Sequence, residues 1–248
     1  MLGKGDKMRL IITDDFQEMS LRAARIVAGQ VELKPDSNLG LPTGSTPLGL
    51  YDYLIKFHKE ENLSFARTST FNLDEYYGLG QNHPKSFYQF MKENFFQEVD
   101  LPQENINFLQ GKAEDVEKEC YRFENKIASS GGIDLMILGI GRNGHIGFNE
   151  PGEELKSHTH LADLAPETIK ANQKFFDSEE KVPRQALTMG MGTILKSRQI
   201  LLMASGKSKS WAVKELMKKR VTTEFPASFL RVHSNVILLI DQEAADRI

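Results

Sequence analysis

The chain reads as an α/β protein with a mostly parallel sheet and helices on both of its faces. Three observations predict this. Short apolar runs alternate with longer amphipathic stretches along the whole length. Residues 133–138, apolar but for Asp134, are bounded by glycines, the pattern of a strand buried on both faces. Residues 199–203 and 236–240 repeat that pattern late in the chain. Parallel neighbours need a crossover between them, so strand–helix alternation implies a parallel sheet.

Taken in order, residues 9–12 read as a first strand. Residues 16–33 carry Met19, Ala23, Ile26 and Val27 at helical spacing. A strand at 39–41 leads into a helix at 47–59, whose Leu50, Leu54 and Phe57 share one face. A strand at 69–73 precedes an aromatic-rich helix at 86–96. A short strand at 106–109 then precedes a charged helix at 113–128. The central strand 133–138 follows. A helix at 208–219 separates the two late strands. The stretch 156–184 is polar and lacks long apolar runs; a mobile lid and a plain surface excursion both fit it. The 248 residues suit one α/β domain, 1–248, without internal repeats or a clear linker.

Composition narrows the partners. A net charge of −3 offers no global attraction to nucleic acid or to a membrane surface. Apolar runs such as 135–138 and 236–240 are far too short to span a bilayer. The N-terminal nine residues are mixed and charged, unlike a signal peptide. Cys120 is the single cysteine, so the fold needs no oxidising compartment. The cytoplasm is the expected address.

Ligands of such folds bind beyond the carboxyl ends of the strands, so the strand exits carry the candidates. The first is Leu41-Pro42-Thr43-Gly44-Ser45-Thr46-Pro47. Gly44 permits a tight turn, Thr46 suits an N-cap, and Pro47 suits the first helical position. The free N–H groups there, with the hydroxyls of Ser45 and Thr46, would cradle a phosphate; an ordinary capped turn explains the same residues. The second exit holds Asp74 and Glu75 just past a strand. Neighbours in extended chain point opposite ways, so one could serve as a general base while the other pairs with structure. A solvated acidic turn is the plainer reading.

The third exit is 139–150. Gly139, Gly141 and Gly144 formally satisfy G-x-G-x-x-G, but Gly147, Pro151 and Gly152 follow, so no helix can open there and the dinucleotide reading is rejected. What remains is a glycine-rich loop holding His145 and Glu150, an imidazole with the intrinsic pKa for proton transfer beside a carboxylate that can orient it. A structural histidine in a turn is the alternative. At a fourth exit, Gly206-Lys207-Ser208 resembles the end of a P-loop, but Leu201 stands where the first glycine belongs. Lysines at a helix start still suit a phosphate. His158 and His160 lack the Cys or carboxylate set of a metal site. His58, His83 and His233 read as surface or core.

These segments, together with Ala186-Leu187-Thr188-Met189-Gly190, occur in the order and spacing of a known family. The chain resembles the glucosamine-6-phosphate deaminases (isomerases) over nearly its whole length, above all in Gly144-His145-Ile146-Gly147-Phe148-Asn149-Glu150-Pro151-Gly152. The resemblance implies a Rossmann-like, doubly wound fold with a lid, no metal and no organic cofactor. It implies conversion of glucosamine 6-phosphate and water to fructose 6-phosphate and ammonia. Matched residue by residue, Asp74 is the proton-abstracting base, His145 the ring-opening histidine and Glu150 its partner. Asn143 stands where many members have Asp. Gly44, Ser45, Thr46 and Lys209 match the phosphate site, and Lys174 stands where better-known members have Arg, which loses the bidentate fork. Some members are hexamers activated by N-acetylglucosamine 6-phosphate. Glu153, His160 and Ala162 replace their effector residues and the chain stops at Ile248, so no such activation is expected; a homo-oligomer stays open. A galactosamine-6-phosphate deaminase/isomerase, a 6-phosphogluconolactonase and a non-catalytic sugar-phosphate sensor are the rival readings.

Overall fold

The computed structural model describes residues 8–173, 176 and 182–248. Seven strands form one sheet: β1 (Met8–Thr13), β2 (Asn38–Leu41), β3 (Ser69–Asn72), β5 (Ile106–Asn107), β6 (Leu135–Gly139), β9 (Gln199–Ala204) and β10 (Val236–Asp241). Their order is β1-β10-β9-β6-β2-β3-β5, and every neighbouring pair is parallel. The chain winds outward from β2 through β3 to β5, then returns to β6 on the other side of β2. The switch point of the sheet therefore lies between β2 and β6.

Alternation along the central strands produces two cores. Met136, Leu138, Ile200, Leu202, Leu238 and Ile240 face one hydrophobic cluster. Leu135, Ile137, Leu201, Met203, Ile237 and Leu239 face the other. The first is covered by α4 (Val116–Ser129) and α7 (Ser210–Met217), the second by α1 (Phe16–Leu33), α2 (Leu48–Glu61) and α3 (Phe87–Asn94). Each fully buried Leu or Ile contributes roughly 1.5–3 kcal/mol, so the expected helices on both faces follow from a period of two. The helix starts are set locally. Asp15, Ser86 and Asp115 each accept the N–H three residues on, from Glu18, Gln89 and Lys118.

The structure also contains a three-stranded antiparallel sheet that hydrophobic periodicity did not reveal. It has the order β4 (Asp74–Tyr76), β8 (Gln185–Thr188), β7 (His160–Asp163). Helix α5 (Pro166–Asn172) follows β7, so part of the polar stretch 156–184 is regular structure. Tyr76, Phe148, Leu164, Ile169, Val182 and Ala186 form its own small core. Two short helices, α6 (Met191–Leu195) and α8 (Gln242–Ala245), complete the chain. Among the described residues no helix is long and apolar enough to cross a membrane.

Candidate active site

Strands β9, β6, β2 and β3 are consecutive in the sheet, so all four candidate exits open side by side at one carboxyl edge. At the first, Gly44 takes φ +97°, a conformation that favours glycine. The expected cap is shifted: α2 begins at Leu48, Pro47 occupies the cap position, and no side chain caps it. Thr46 is thus left half-buried and Ser45 exposed. Tyr51, buried on α2, donates its hydroxyl to the Pro42 carbonyl at 2.5 Å and so fixes the turn from beneath. At the fourth exit, Asp241 accepts the Gly206 N–H and, at 2.5 Å, the Ser205 hydroxyl. The helix expected from 208 begins instead at Ser210, after a tight turn over Lys207–Lys209. Lys209 donates from Nζ to the Ile140 carbonyl at 2.7 Å, which brings the lysine to the third exit.

The solvated-turn reading of Asp74 and Glu75 is wrong, because both are buried, at 8% and 1% exposure. Pairing of β4 with β8 places Asp74 opposite Thr188 and takes both carboxylates out of water. Their opposite orientation holds. Glu75 turns to the start of α3 and accepts the N–H groups of Phe87 at 2.8 Å, Tyr88 at 3.0 Å and Tyr76 at 2.9 Å. Asp74 turns to the glycine loop: a Cβ built on Gly147 would lie 3.5 Å from its Oδ2. Burial, then the charge of Glu75, pushes the Asp74 carboxyl up to about 8. Burial also raises Glu75, to about 7, against the pull of its three N–H donors. Glu75, with its three N–H donors, is therefore the better-stabilised anion, and Asp74 is a carboxylate poised to hold and release a proton near neutrality.

The third exit forms no helix, as expected. The Gly141 N–H donates to the His145 carbonyl at 2.9 Å, folding the loop back on itself. Asn143 donates from Nδ2 to Glu150 Oε2 at 2.9 Å, so its Oδ1 is the end that meets His145. That oxygen accepts the His145 backbone N–H at 3.2 Å and lies 2.8 Å from Nδ1. With an acceptor there and Glu150 Oε2 3.3 Å away, Nδ1 carries the hydrogen and Nε2 is the nitrogen left for proton exchange. Burial raises the Glu150 carboxyl, but hydrogen bonding and charge from His145, then the donors Thr168 and Asn143, outweigh it and hold it below the usual range. Thr188 Oγ1 accepts the Phe148 N–H at 3.1 Å, tying β8 to this loop. Asn149 spans to Met189 and Ile146 through its side-chain amide.

The structure thus brings Asp74, Asn143, His145 and Glu150 to one loop, with Lys209 on its rim and the Gly44-Ser45-Thr46 turn on the neighbouring strand. Lys174 lies outside the described residues. Thr168, Thr188 and Tyr51 are contacts that sequence reasoning missed: Thr168 and Thr188 stand 18 and 40 residues from their partners, and Tyr51 reads as one more apolar position of α2; only the Thr188 segment carried a motif. The remaining histidines have structural partners: His233 meets the Ser197 carbonyl and His160 the His158 carbonyl. Among the described residues no group of three or more His, Cys, Asp or Glu side chains is arranged to hold a metal ion.

The chain is similar to known proteins over nearly its whole length. The family model described as glucosamine-6-phosphate isomerases/6-phosphogluconolactonase matches residues 15–238. Glucosamine-6-phosphate deaminase from Halothermothrix orenii is 54% identical over 96% of this chain and 99% of its own length. The one from Thermoanaerobacter sp. strain X514 is 51% identical over 97% and 95%. A solved structure described as a monomeric glucosamine-6-phosphate deaminase of the NagB superfamily superposes with a TM-score of 0.95 at 48% identity, covering 97% of this chain and all of the other. The 6-phosphogluconolactonase from Trypanosoma brucei shares the fold, with a TM-score of 0.77 at 21% identity and coverage of 98% of this chain and 100% of the other. With its model matched over most of the length and relatives near 50% identity, the chain belongs to the glucosamine-6-phosphate isomerase/6-phosphogluconolactonase family.

Proposed function

We propose that the protein is a glucosamine-6-phosphate deaminase, converting glucosamine 6-phosphate and water to fructose 6-phosphate and ammonia. The observation that carries this reading is the convergence of a buried carboxylate, Asp74, with the Asn143–His145–Glu150 network across Gly147. Two separate proton-transfer centres are what a ring opening followed by an aldose–ketose shift requires.

His145, its ring held by Asn143 and Glu150 through Nδ1, takes the proton of the C1 hydroxyl at Nε2 and passes it to the ring oxygen as the C1–oxygen ring bond breaks, which leaves the open-chain aldehyde. Asp74 then removes the proton from C2 of the open-chain amino sugar while the C1 oxygen takes a proton from water, giving an enolamine. The same carboxyl returns that proton to C1, which leaves an iminium at C2. Water adds at C2, the C2–nitrogen bond breaks, and ammonia leaves behind the ketone of fructose 6-phosphate. An Asp74 carboxyl raised to about 8 suits a group that must both take and give a proton. Each general acid–base step is worth on the order of 10²–10⁴ in rate.

The Gly44-Ser45-Thr46 turn and Lys209 hold the sugar's phosphate, with Lys174 as a further cation, and this remote grip supplies positioning for the reacting carbons. The stretch 156–184 acts as a lid over a single-domain enzyme that works in the cytoplasm without a metal or organic cofactor. The monomeric relative supports one chain as the working unit, which sedimentation analysis checks. Ammonia release from glucosamine 6-phosphate, measured beside galactosamine 6-phosphate and 6-phosphogluconolactone, tests the reading. Turnover of the gluco amino sugar alone supports it; hydrolysis of the lactone alone overturns it.

A further inference from the structure

We propose that Thr168 is a positioning residue that locks the Glu150 carboxylate from helix α5. Its hydroxyl donates to Glu150 Oε1 at 2.5 Å, while Asn143 donates to Oε2. The two donors take opposite oxygens, so the carboxylate plane is fixed from both sides and Oε2 is aimed at His145. Thr168 is 5% exposed, and the Glu150 side chain 12%, so water is a poor substitute for that donor.

The placement of Thr168 is itself held by the small antiparallel sheet. The Leu164 N–H donates to the Arg184 carbonyl at 2.9 Å, which closes the turn between β7 and α5 against the chain entering β8. Ile169, the next residue along α5, packs in one cluster with Tyr76 of β4 and Phe148 of the glycine loop. Strand β4 carries Asp74, β8 pairs with it, β7 pairs with β8, and α5 follows β7. The segment 156–184 thereby contributes a side chain to the catalytic network, and one small sheet sets the spacing between the base at C2 and the ring-opening group.

The inference rests on the deaminase reading of Glu150, so wild-type turnover is measured first; absence of ammonia release there refutes that reading and not the contact. Thr168→Val keeps the shape and removes the donor. It should lower kcat on the order of tenfold with KM within about twofold, as expected for loss of one hydrogen bond to a charged group away from the phosphate grip. The groups facing Glu150 are Asn143 and His145 from the loop and Thr168 from α5; among the described residues His145 is the titratable one. Thr168→Ser, which keeps the hydroxyl, should restore the rate. Wild-type kcat in Thr168→Val overturns the proposal. So does a Thr168→Ser variant as impaired as Thr168→Val, because that would assign the role to packing of the methyl group.

Discussion

Replacing Gly141 by alanine tests the geometry of the His145 centre without touching any group that moves a proton. The Gly141 backbone is outside the left-handed region, so alanine is conformationally acceptable there. Its Cβ, however, would fall within 2.5 Å of Nδ1, Cε1 and Cγ of His145, where ordinary contacts begin at 3.4 Å. The ring must withdraw by roughly 1 Å, enough to break the 2.8 Å approach of Nδ1 to Asn143 Oδ1. A displacement of that size costs about 10²-fold in a positioned reaction, or roughly 2.7 kcal/mol of barrier. The phosphate grip is untouched, so the loss belongs in kcat. Overpacking also costs about 1–3 kcal/mol of stability, which lowers Tm by several degrees in a chain of this size. Coupled assay of fructose 6-phosphate formation, beside a thermal melt, reads both effects. A Gly141→Ala enzyme that melts a few degrees lower yet retains wild-type kcat would refute the role given to His145.

Three further variants follow from the same geometry. Asp74 must be ionised to take the C2 proton, so kcat/KM should rise with pH towards about 8; Glu75→Gln removes the like charge that helps raise it, and its acid limb should move to lower pH, whereas an unmoved limb contradicts the coupling. Asn143→Asp substitutes a carboxylate for the amide that donates to Glu150 at 2.9 Å and meets Nδ1 at 2.8 Å. The added negative charge favours the imidazolium, so the acid limb should shift to higher pH; superimposable profiles would count against the network. Lys209→Met should raise KM for glucosamine 6-phosphate by about 10–100-fold, the loss expected for one charge-assisted contact, while leaving any turnover of unphosphorylated glucosamine unchanged. An equal loss on both sugars would remove Lys209 from the phosphate site.

The large sheet was legible because β6, β9 and β10 are continuous apolar runs between glycine and polar boundaries. The small sheet was not. Strand β4 has three residues and follows β3 after Leu73 alone, while β7 begins in His160 and ends in Asp163, so neither shows an apolar signature. That omission explains the misjudged burial of Asp74 and Glu75, which depends on pairing with β8 more than a hundred residues away. Within the loop, His145, Glu150 and Asn143 were readable from spacing and family likeness, because eight residues span all three. Thr168 was not, since nothing local to Pro166–Asn172 distinguishes a hydroxyl that caps a carboxylate from one that faces water. Helix bounds shifted by one or two residues at Pro47 and Ser210, where turn chemistry competes with helical geometry.

The central claim is that Asp74 moves the C2 proton of an amino sugar phosphate whose ring His145 has opened. Its most direct test is turnover of glucosamine 6-phosphate by the wild-type chain and by Asp74→Asn, with ammonia and fructose 6-phosphate quantified and substrate binding followed separately. Wild type should release the two products in equal amounts, and Asp74→Asn should bind the sugar phosphate yet lose at least about 10²–10⁴ of the rate. Ammonia release by Asp74→Asn at the wild-type rate would contradict the account.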